Sequence, residues 1–168
     1  MSTKILTLKG TCQWAKVFPE TRDMMEFDEE TGGFTKPSST GGRYSLELVM
    51  TPEDYRELKM SGSIAAKHSK MNEAGDDVVR FKREHVRKGK DGVVLEFASG
   101  APKVTDGVTD EVWSLDEQGL IGNGSEVEIT VAVYTTKFSP GTRLETVKVL
   151  NHVPVPDRDS GGGDEIPF

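Results

Sequence analysis

Alternation of apolar and polar side chains, interrupted by glycine-rich turns, constrains the fold of this chain more than any other feature. The clearest case is residues 127–134, where valine and isoleucine alternate with glutamate, threonine, alanine and tyrosine. Residues 5–18 and 44–50 alternate in the same way, and Gly10 is the expected bend in the first of these segments. Because a period of two places every second side chain on one face, we predict a strand in each segment.

Three more strands are predicted in the remainder of the chain. Residues 78–88 form one, and residues 93–98 are expected to return as its partner across a hairpin turn at 89–92, which contains Asp-Gly. The last strand is predicted at 142–153, and residues 101–119 are expected to be irregular. The chain is therefore predicted to contain five or six strands.

A single helix is predicted after the second strand. Thr51 is a suitable N-cap, Pro52 a suitable first helical residue, and two acids complete the first turn, so the helix should run to about Met60. Residues 20–42 have neither a helical nor a strand period, and we expect a long loop there that holds a short hairpin around Phe34.

This order of elements lacks the strand–helix–strand rhythm of parallel sheets. It favours a mainly β fold: a single, OB-fold-like antiparallel β-barrel with one short helix and long loops. A β-sandwich with a surface helix is the alternative. The helix is misplaced for an OB-fold, which usually carries it between the third and fourth strands.

Composition limits the function classes. At 168 residues the chain is expected to form one domain, residues 1–154, followed by a flexible acidic tail, residues 155–168. The one cysteine, Cys12, excludes an internal disulfide and a zinc site built from cysteines. No stretch has 18 apolar residues and the beginning is too polar for a signal peptide, so we expect a cytoplasmic protein with no membrane association.

Residues 80–90 concentrate positive charge in a chain whose net charge is −7. They carry six basic side chains against one acid, Glu84. The candidates for binding phosphates are Arg80, Lys82, Arg83, Arg87 and Lys88. A phosphate-binding surface would explain this run. A solvated hairpin, whose lysines discourage pairing at a sheet edge, is the alternative.

Aromatic side chains with basic neighbours recur along the predicted strands. Single-stranded nucleic acid offers exposed bases that stack on aromatic rings while cations bind the phosphates. The candidates are Trp14 with Lys16, Phe34 with Lys36, Tyr44 with Arg43, Phe81, and Tyr134 with Lys137 and Phe138. A core position is the alternative for each ring, and Trp113 is expected to be structural.

The tail combines a flexible spacer with a distinctive tip. Three consecutive glycines are costly to order, so the spacer should be disordered. The tip is Asp164, Glu165, Ile166, Pro167 and Phe168. Two carboxylates followed by large apolar side chains suit a peptide that docks on another protein. An ordinary frayed end is the alternative.

Nothing in the sequence marks a catalytic site. His68, His85 and His152 are not spaced with other ligands as a metal site requires, and the glycines match no nucleotide-binding loop. We expect no cofactor, no metal and no enzymatic activity, with a metal-dependent nuclease as the rival because carboxylates are plentiful.

Two motifs carry a resemblance to a known family. Gly122-Asn123-Gly124-Ser125 leads into one strand and Gly141-Thr142-Arg143-Leu144 into the next, and the upstream segment 101–107 reads APKVTDG. Together with the DEIPF tip, this half of the chain resembles phage-encoded single-stranded DNA-binding proteins (SSBs). Two adjacent acids at the tip are fewer than in many SSB tails.

The resemblance implies an OB-fold that binds single-stranded DNA without sequence preference in phage replication, recombination and repair, within the host cytoplasm. It also implies that the acidic tail recruits replication or recombination proteins, such as a polymerase, helicase, primase or nuclease, and competes with DNA for the basic groove. A homodimer is among the assemblies that it allows. A protein–protein adaptor that binds no nucleic acid is the alternative function.

Overall fold

Nine strands and two helices make up the part of the chain that the computed structural model describes, residues 2–89, 91–135 and 141–155. In chain order they are β1 (Ser2–Lys16), β2 (Met25–Asp28), β3 (Gly33–Pro37), β4 (Arg43–Met50), α1 (Pro52–Met60), β5 (Lys70–Met71), β6 (Asp77–Glu84), β7 (Lys103–Asp106), α2 (Leu115–Gln118), β8 (Glu126–Thr135) and β9 (Gly141–Asn151).

Five of these strands close into a barrel. β1 runs antiparallel between β4 and β8, while β6 extends the sheet beyond β4 and β9 extends it beyond β8. A parallel pairing of Lys82 in β6 with Arg143 in β9 joins the two ends. This closed five-stranded barrel is an OB-fold, which confirms the predicted mainly β architecture over the sandwich.

Alternation along the barrel strands builds the core, as the sequence pattern predicts. The most deeply buried of the inward side chains are at most 1% exposed and include Leu8, Leu46, Leu48, Phe81, Val127, Ile129, Val131, Leu144 and Val147. Burying each of the larger ones stabilises the fold by about 1.5–3 kcal/mol relative to its exposure.

The first strand switches its inward face at Trp14 rather than at Gly10. Trp14 has a φ of 52°, and the pairing of β1 with β4 shifts between Gln13 and Lys16. Residues before and after this bulge therefore use opposite parities to reach the core. Gly10 has a different role, because a Cβ atom there would collide with the carbonyl of Val49 in β4.

The predicted return strand at 93–98 is wrong. Among the described residues of this segment, an isolated bridge joins Lys88 to Val94 in place of a strand pairing, and a 3-10 turn, Glu96–Ala98, follows. The physical cause is Arg83, whose guanidinium binds several carbonyls of this loop and holds it across the end of β6, as described below. The region 101–119, expected to be irregular, contains β7 and α2.

Both helices are capped by side chains. The hydroxyl of Thr51 accepts a hydrogen bond from the amide of Asp54 at 3.2 Å, and α1 ends at Met60, as predicted. The short α2 was not predicted, and it lies between the third and fourth barrel strands, where the OB-fold usually has its helix. None of the described helices is long and apolar enough to cross a membrane.

The loop between the first two barrel strands carries a second, two-stranded sheet. β2 and β3 pair antiparallel and place Phe34 in a hairpin, which confirms the hairpin expected around this residue. Glu26 fastens the end of the hairpin, since its carboxylate accepts hydrogen bonds from the amide and the hydroxyl of Ser39, both at 3.2 Å. Accepting the amide hydrogen bond is the main cause that lowers the pKa of Glu26.

Candidate nucleic-acid interface

The outer face of β6 carries the positive charge of the barrel. Arg80 and Lys82 point outward and are exposed, while Phe81 and Arg83 point inward. Lys82 lies beside Arg143 of β9 in the parallel pairing, so the cations continue across the barrel seam. Because three cations on adjacent strands face the same side, this face is suited to binding a chain of phosphates.

Carboxylates pair with several cations on and beside this face. The ion pairs are Lys16–Asp23 at 2.8 Å, Lys70–Glu47 at 3.1 Å, Arg43–Glu84 at 3.5 Å, Arg80–Asp23 at 4.0 Å and Arg143–Glu145. Arg80 and Asp23 are both partly exposed, and a pair of this kind contributes about 0–1 kcal/mol. Arg80 is therefore only weakly held by its carboxylate.

Lys82 is the cation best prepared to bind an anion. In the described part of the chain, no carboxylate lies within the 4.0 Å of an ion pair to its ammonium group. Partial burial lowers the pKa of Lys82, and the nearby charges of Arg43 and Arg80 lower it further, against an opposing effect of Glu84. A bound phosphate would relieve the repulsion among these cations.

Two adjoining cavities form a groove along this face, which we call the β6 groove. One, of 440 Å³, has a lining that includes the charged side chains of Glu47, Lys70, Arg80 and Lys82. The other, of 90 Å³, is lined by Lys82, Arg83, Arg87, Tyr134 and Arg143, among others. Lys82 lines both cavities, so the two are neighbours. The groove brings together five predicted residues: Arg80, Lys82, Arg83, Arg87 and Tyr134.

A larger cavity, of 560 Å³, lies elsewhere on the barrel. Its lining contains one cation, Lys9, and two acids, Asp76 and Glu126. This balance of charge would repel a phosphate chain. This larger cavity is therefore not the candidate site.

Tyr44 and Phe81 were predicted to stack on bases, and for both the prediction is wrong. Tyr44 is 0% exposed and Phe81 is 1% exposed, so neither ring can reach a ligand. The hydroxyl of Tyr44 shares a hydrogen bond of 2.8 Å with Nδ1 of His85, and burial raises the pKa of Tyr44. Both rings belong to the structure of the barrel.

Arg83 was predicted to bind phosphates, and it is instead a buried structural residue, 7% exposed. Its guanidinium donates hydrogen bonds to four carbonyl oxygens: those of Gly100 at 2.8 Å, Ser99 at 2.9 Å, Phe97 at 3.1 Å and Leu144 at 3.2 Å. It also lies 3.5 Å from the carboxylate of Glu145. Because its N–H groups are used in these bonds, Arg83 links the loop after β6 to β9. It has little capacity left to bind an anion in the groove.

Other predicted rings are exposed. Trp14 is 43% exposed at the bulge of β1, and its amide donates a 2.7 Å hydrogen bond to the side-chain oxygen of Asn123. Phe34 is 71% exposed and meets Phe27 edge to face, with 5.6 Å between ring centroids. Lys36 and Lys88 are also exposed. All four remain candidates for contact with nucleic acid.

Three further residues of the interface were not predicted from the sequence. Phe27 lacks a basic neighbour, and Phe97 lies in the 93–98 segment, for which the sequence predicts a strand. Arg143 does have a signal in the sequence, because it belongs to the Gly-Thr-Arg-Leu motif. The remaining predicted residues, Lys137, Phe138 and the tip 164–168, lie outside the described residues.

Two features of the described residues bear on catalysis: the metal-ligating side chains and the thiol of Cys12. Within residues 2–89, 91–135 and 141–155, no group of three or more histidine, cysteine, aspartate or glutamate side chains could hold a metal ion. Burial raises the pKa of Cys12 to about 12, so its thiol is protonated at neutral pH and is a poor nucleophile.

Comparison with known proteins gives structural neighbours only. No protein-family model matches the chain, and no curated protein matches its sequence. Among solved structures, gp2.5, a single-stranded DNA-binding protein encoded by bacteriophage T7, is 16% identical with a TM-score of 0.54, covering 97% of this chain and 92% of that one. The likeness is one of fold.

A second protein matches more weakly. The C-terminally truncated single-stranded DNA-binding protein of bacteriophage Enc34 is 10% identical with a TM-score of 0.49, over 89% of this chain and 85% of that one. The same protein in complex with single-stranded DNA is 13% identical with a TM-score of 0.47, over 89% and 87%. The predicted resemblance to phage single-stranded DNA-binding proteins is thus confirmed among structural neighbours, and the shared fold rests on gp2.5.

Proposed function

We propose that this protein binds single-stranded DNA without sequence preference and is not an enzyme. The observation that carries the proposal is the β6 groove, where Arg80, Lys82 and Arg143 lie on adjacent strands of an OB-fold. Cations in a row bind the phosphates of any sequence equally well. That gp2.5, which shares the fold, is a single-stranded DNA-binding protein supports the same function.

Binding of single-stranded DNA also requires surfaces on which bases can stack, and two exposed aromatic rings supply them. Trp14 on β1 and Phe34 on the β2–β3 hairpin each leave a large part of the ring open. Stacking of a base on an aromatic side chain contributes about 1–3 kcal/mol and needs no particular base. In OB-folds the loop between the first two barrel strands commonly takes part in binding, and the β2–β3 hairpin occupies that loop here.

We further propose that the protein acts in phage replication, recombination or repair inside the host cell. Residues 164–168 would dock on replication or recombination proteins through Ile166 and Phe168, with Asp164 and Glu165 as charges for a basic pocket. The same acids would compete with DNA for the β6 groove. Deleting residues 164–168 should therefore raise the affinity for DNA, and a fall in affinity would contradict this competition.

The direct test is the titration of fluorescently labelled oligo-dT at 0.1 M salt and at higher salt, followed by anisotropy. We expect binding that weakens steeply with salt, and Lys82→Glu should weaken it at least about fivefold at 0.1 M salt, because one phosphate contact is lost. Lys103→Glu is the matched control, since Lys103 is an exposed lysine on β7. Equal binding by both variants would contradict the proposed site.

The two rival functions predict different outcomes in this experiment. A protein–protein adaptor would be indifferent to oligo-dT at every salt concentration, which would end the proposal. A metal-dependent nuclease would shorten the oligonucleotide when Mg²⁺ or Mn²⁺ is added. Recovery of the intact strand after incubation with either metal would exclude that rival.

A further inference from the structure

Two residues that line the β6 groove, Tyr134 and Arg143, belong to a cluster with Phe97 beside the groove. The guanidinium of Arg143 lies between two aromatic rings, with its carbon 5.2 Å from the ring centroid of Phe97 and 5.6 Å from that of Tyr134. Resting on the proposed function, we propose that Phe97, Arg143 and Tyr134 form a binding site for one nucleotide. The base would stack on Phe97, and the adjoining phosphate would bind Arg143 and Lys82.

The position of Phe97 is fixed by the backbone around it. Arg83 donates to the carbonyls of Phe97, Ser99 and Gly100. The hydroxyl of Ser99 in turn accepts the amide of Arg87 at 2.8 Å and donates to the carbonyl of Leu95 at 2.8 Å. Because these bonds join the loop to β6 at several points, the ring is presented by a preorganised segment, which reduces the entropy lost on binding.

The position of Tyr134 depends on a glycine across the strand pair. Gly141 lies opposite Tyr134 in the β8–β9 register, and a Cβ atom on Gly141 would lie 2.9 Å from Cε2 of the tyrosine ring. The ring therefore occupies the space that a side chain at position 141 would need. On the other side, Glu145 forms ion pairs with both Arg143 and Arg83. Tyr134 is therefore packed over Gly141, and Arg143 is held by its ion pair with Glu145.

Phe97 leaves most of its surface in solvent although it is apolar. Its side chain is 67% exposed, on a loop that is otherwise fastened to the barrel. An exposed phenylalanine ring does not contribute the stabilisation that its burial in the core would give. Arg143 lies over the ring, and Lys82 is the register partner of Arg143 on the neighbouring strand. An exposed ring in contact with a cation suits a nucleotide, whose base can stack while its phosphate binds the cation.

The same exposed ring could instead pack against a second copy of the chain. That alternative involves no nucleobase, so it predicts no difference between a normal strand and one that lacks its bases. An abasic oligonucleotide of equal length keeps the phosphates and removes every stacking partner. Comparing the two strands separates stacking from phosphate binding.

The experiment measures the dissociation constants of wild type, Phe97→Ala, Phe97→Trp and Val108→Ala for oligo-dT and for the abasic strand. Phe97→Ala should weaken binding of oligo-dT at least about fivefold, since a stack is lost. Its binding of the abasic strand should change less than about twofold, since only phosphate contacts remain there. Phe97→Trp should bind oligo-dT at least as tightly as wild type. Val108→Ala removes an apolar side chain that is also largely exposed, at 82%, but lies in the turn after β7, so it is the control.

Equal binding of oligo-dT by wild type and Phe97→Ala would overturn the nucleotide site and leave the proposed function standing. An equal loss for both strands would overturn it as well, because the ring would then act through structure or assembly. If wild type itself ignores oligo-dT, the proposed function fails. The two failures are therefore distinguishable.

Discussion

Both faces of β6 carry basic side chains, but the two faces have different roles. The outward side chains, Arg80 and Lys82, are exposed in the groove, whereas the inward ones, Phe81 and Arg83, are at most 7% exposed. One arginine therefore meets solvent and the other binds four backbone carbonyls. The comparison teaches that a basic run on a barrel strand divides by parity, and only one half of it can meet DNA.

The largest effect that would test this division is expected from Phe81→Ala. The ring is 1% exposed in the core, and removal of a buried phenylalanine side chain costs about 3–5 kcal/mol of folding free energy. Urea denaturation followed by circular dichroism measures it. A loss below about 1 kcal/mol would show that the inner face does not carry the core.

Arg83→Met is expected to be the next most damaging change. It keeps much of the volume but leaves four carbonyls and Glu145 without the buried cation, so we expect a loss of about 2–4 kcal/mol in the free energy of unfolding. Arg56→Met, an exposed arginine on α1, is the matched control and should change it by less than about 0.5 kcal/mol. Similar stabilities of the two variants would remove the structural role of Arg83.

The double variant Arg80→Gln, Lys82→Gln should have the reverse phenotype. Folding should be nearly unchanged, while two phosphate contacts are lost. On a single strand this lowers the slope of log affinity against log salt by about 1.4 and weakens binding roughly 25-fold at 0.1 M salt. Titration of oligo-dT at four salt concentrations measures both. An unchanged slope would place the phosphates elsewhere.

The smallest expected effect is a change of DNA affinity with pH. Burial, Arg43 and Arg80 hold the pKa of Lys82 below its ordinary value of 10.5, so its charge is complete below the lowered pKa and is lost as the pH rises through it. DNA affinity should therefore fall by up to roughly fivefold on the alkaline side, beginning below pH 10.5. Lys82→Arg keeps its charge throughout and should lack this fall. The same fall in both proteins would assign the titration to another group.

The fold was largely predictable because it depends on local patterns. Alternation located the barrel strands, and the sequence Thr51-Pro52 located the start of α1. The return strand at 93–98 was not predictable in this way. Its conformation depends on carbonyl bonds to Arg83, a contact across the tertiary structure.

Only part of the candidate site was predictable, because the rest depends on contacts between distant segments of the chain. The parity that separates Arg80 and Lys82 from Phe81 and Arg83 can be read from the sequence, but both parities carry a cation, so the inner one could not be recognised. The pairing of Phe97 with Arg143 depends on closure of the barrel, which brings distant segments together. The contact of Lys137 and Phe138 with nucleic acid stays a prediction.

The central claim, that DNA binds along the outer face of β6, is tested most directly by lysine acylation with and without bound oligo-dT, read by mass spectrometry. The account predicts that a saturating strand slows acylation of Lys82 and leaves the rate at Lys103 on β7 unchanged. Acylation of Lys82 at the same rate in the bound and unbound protein would contradict it.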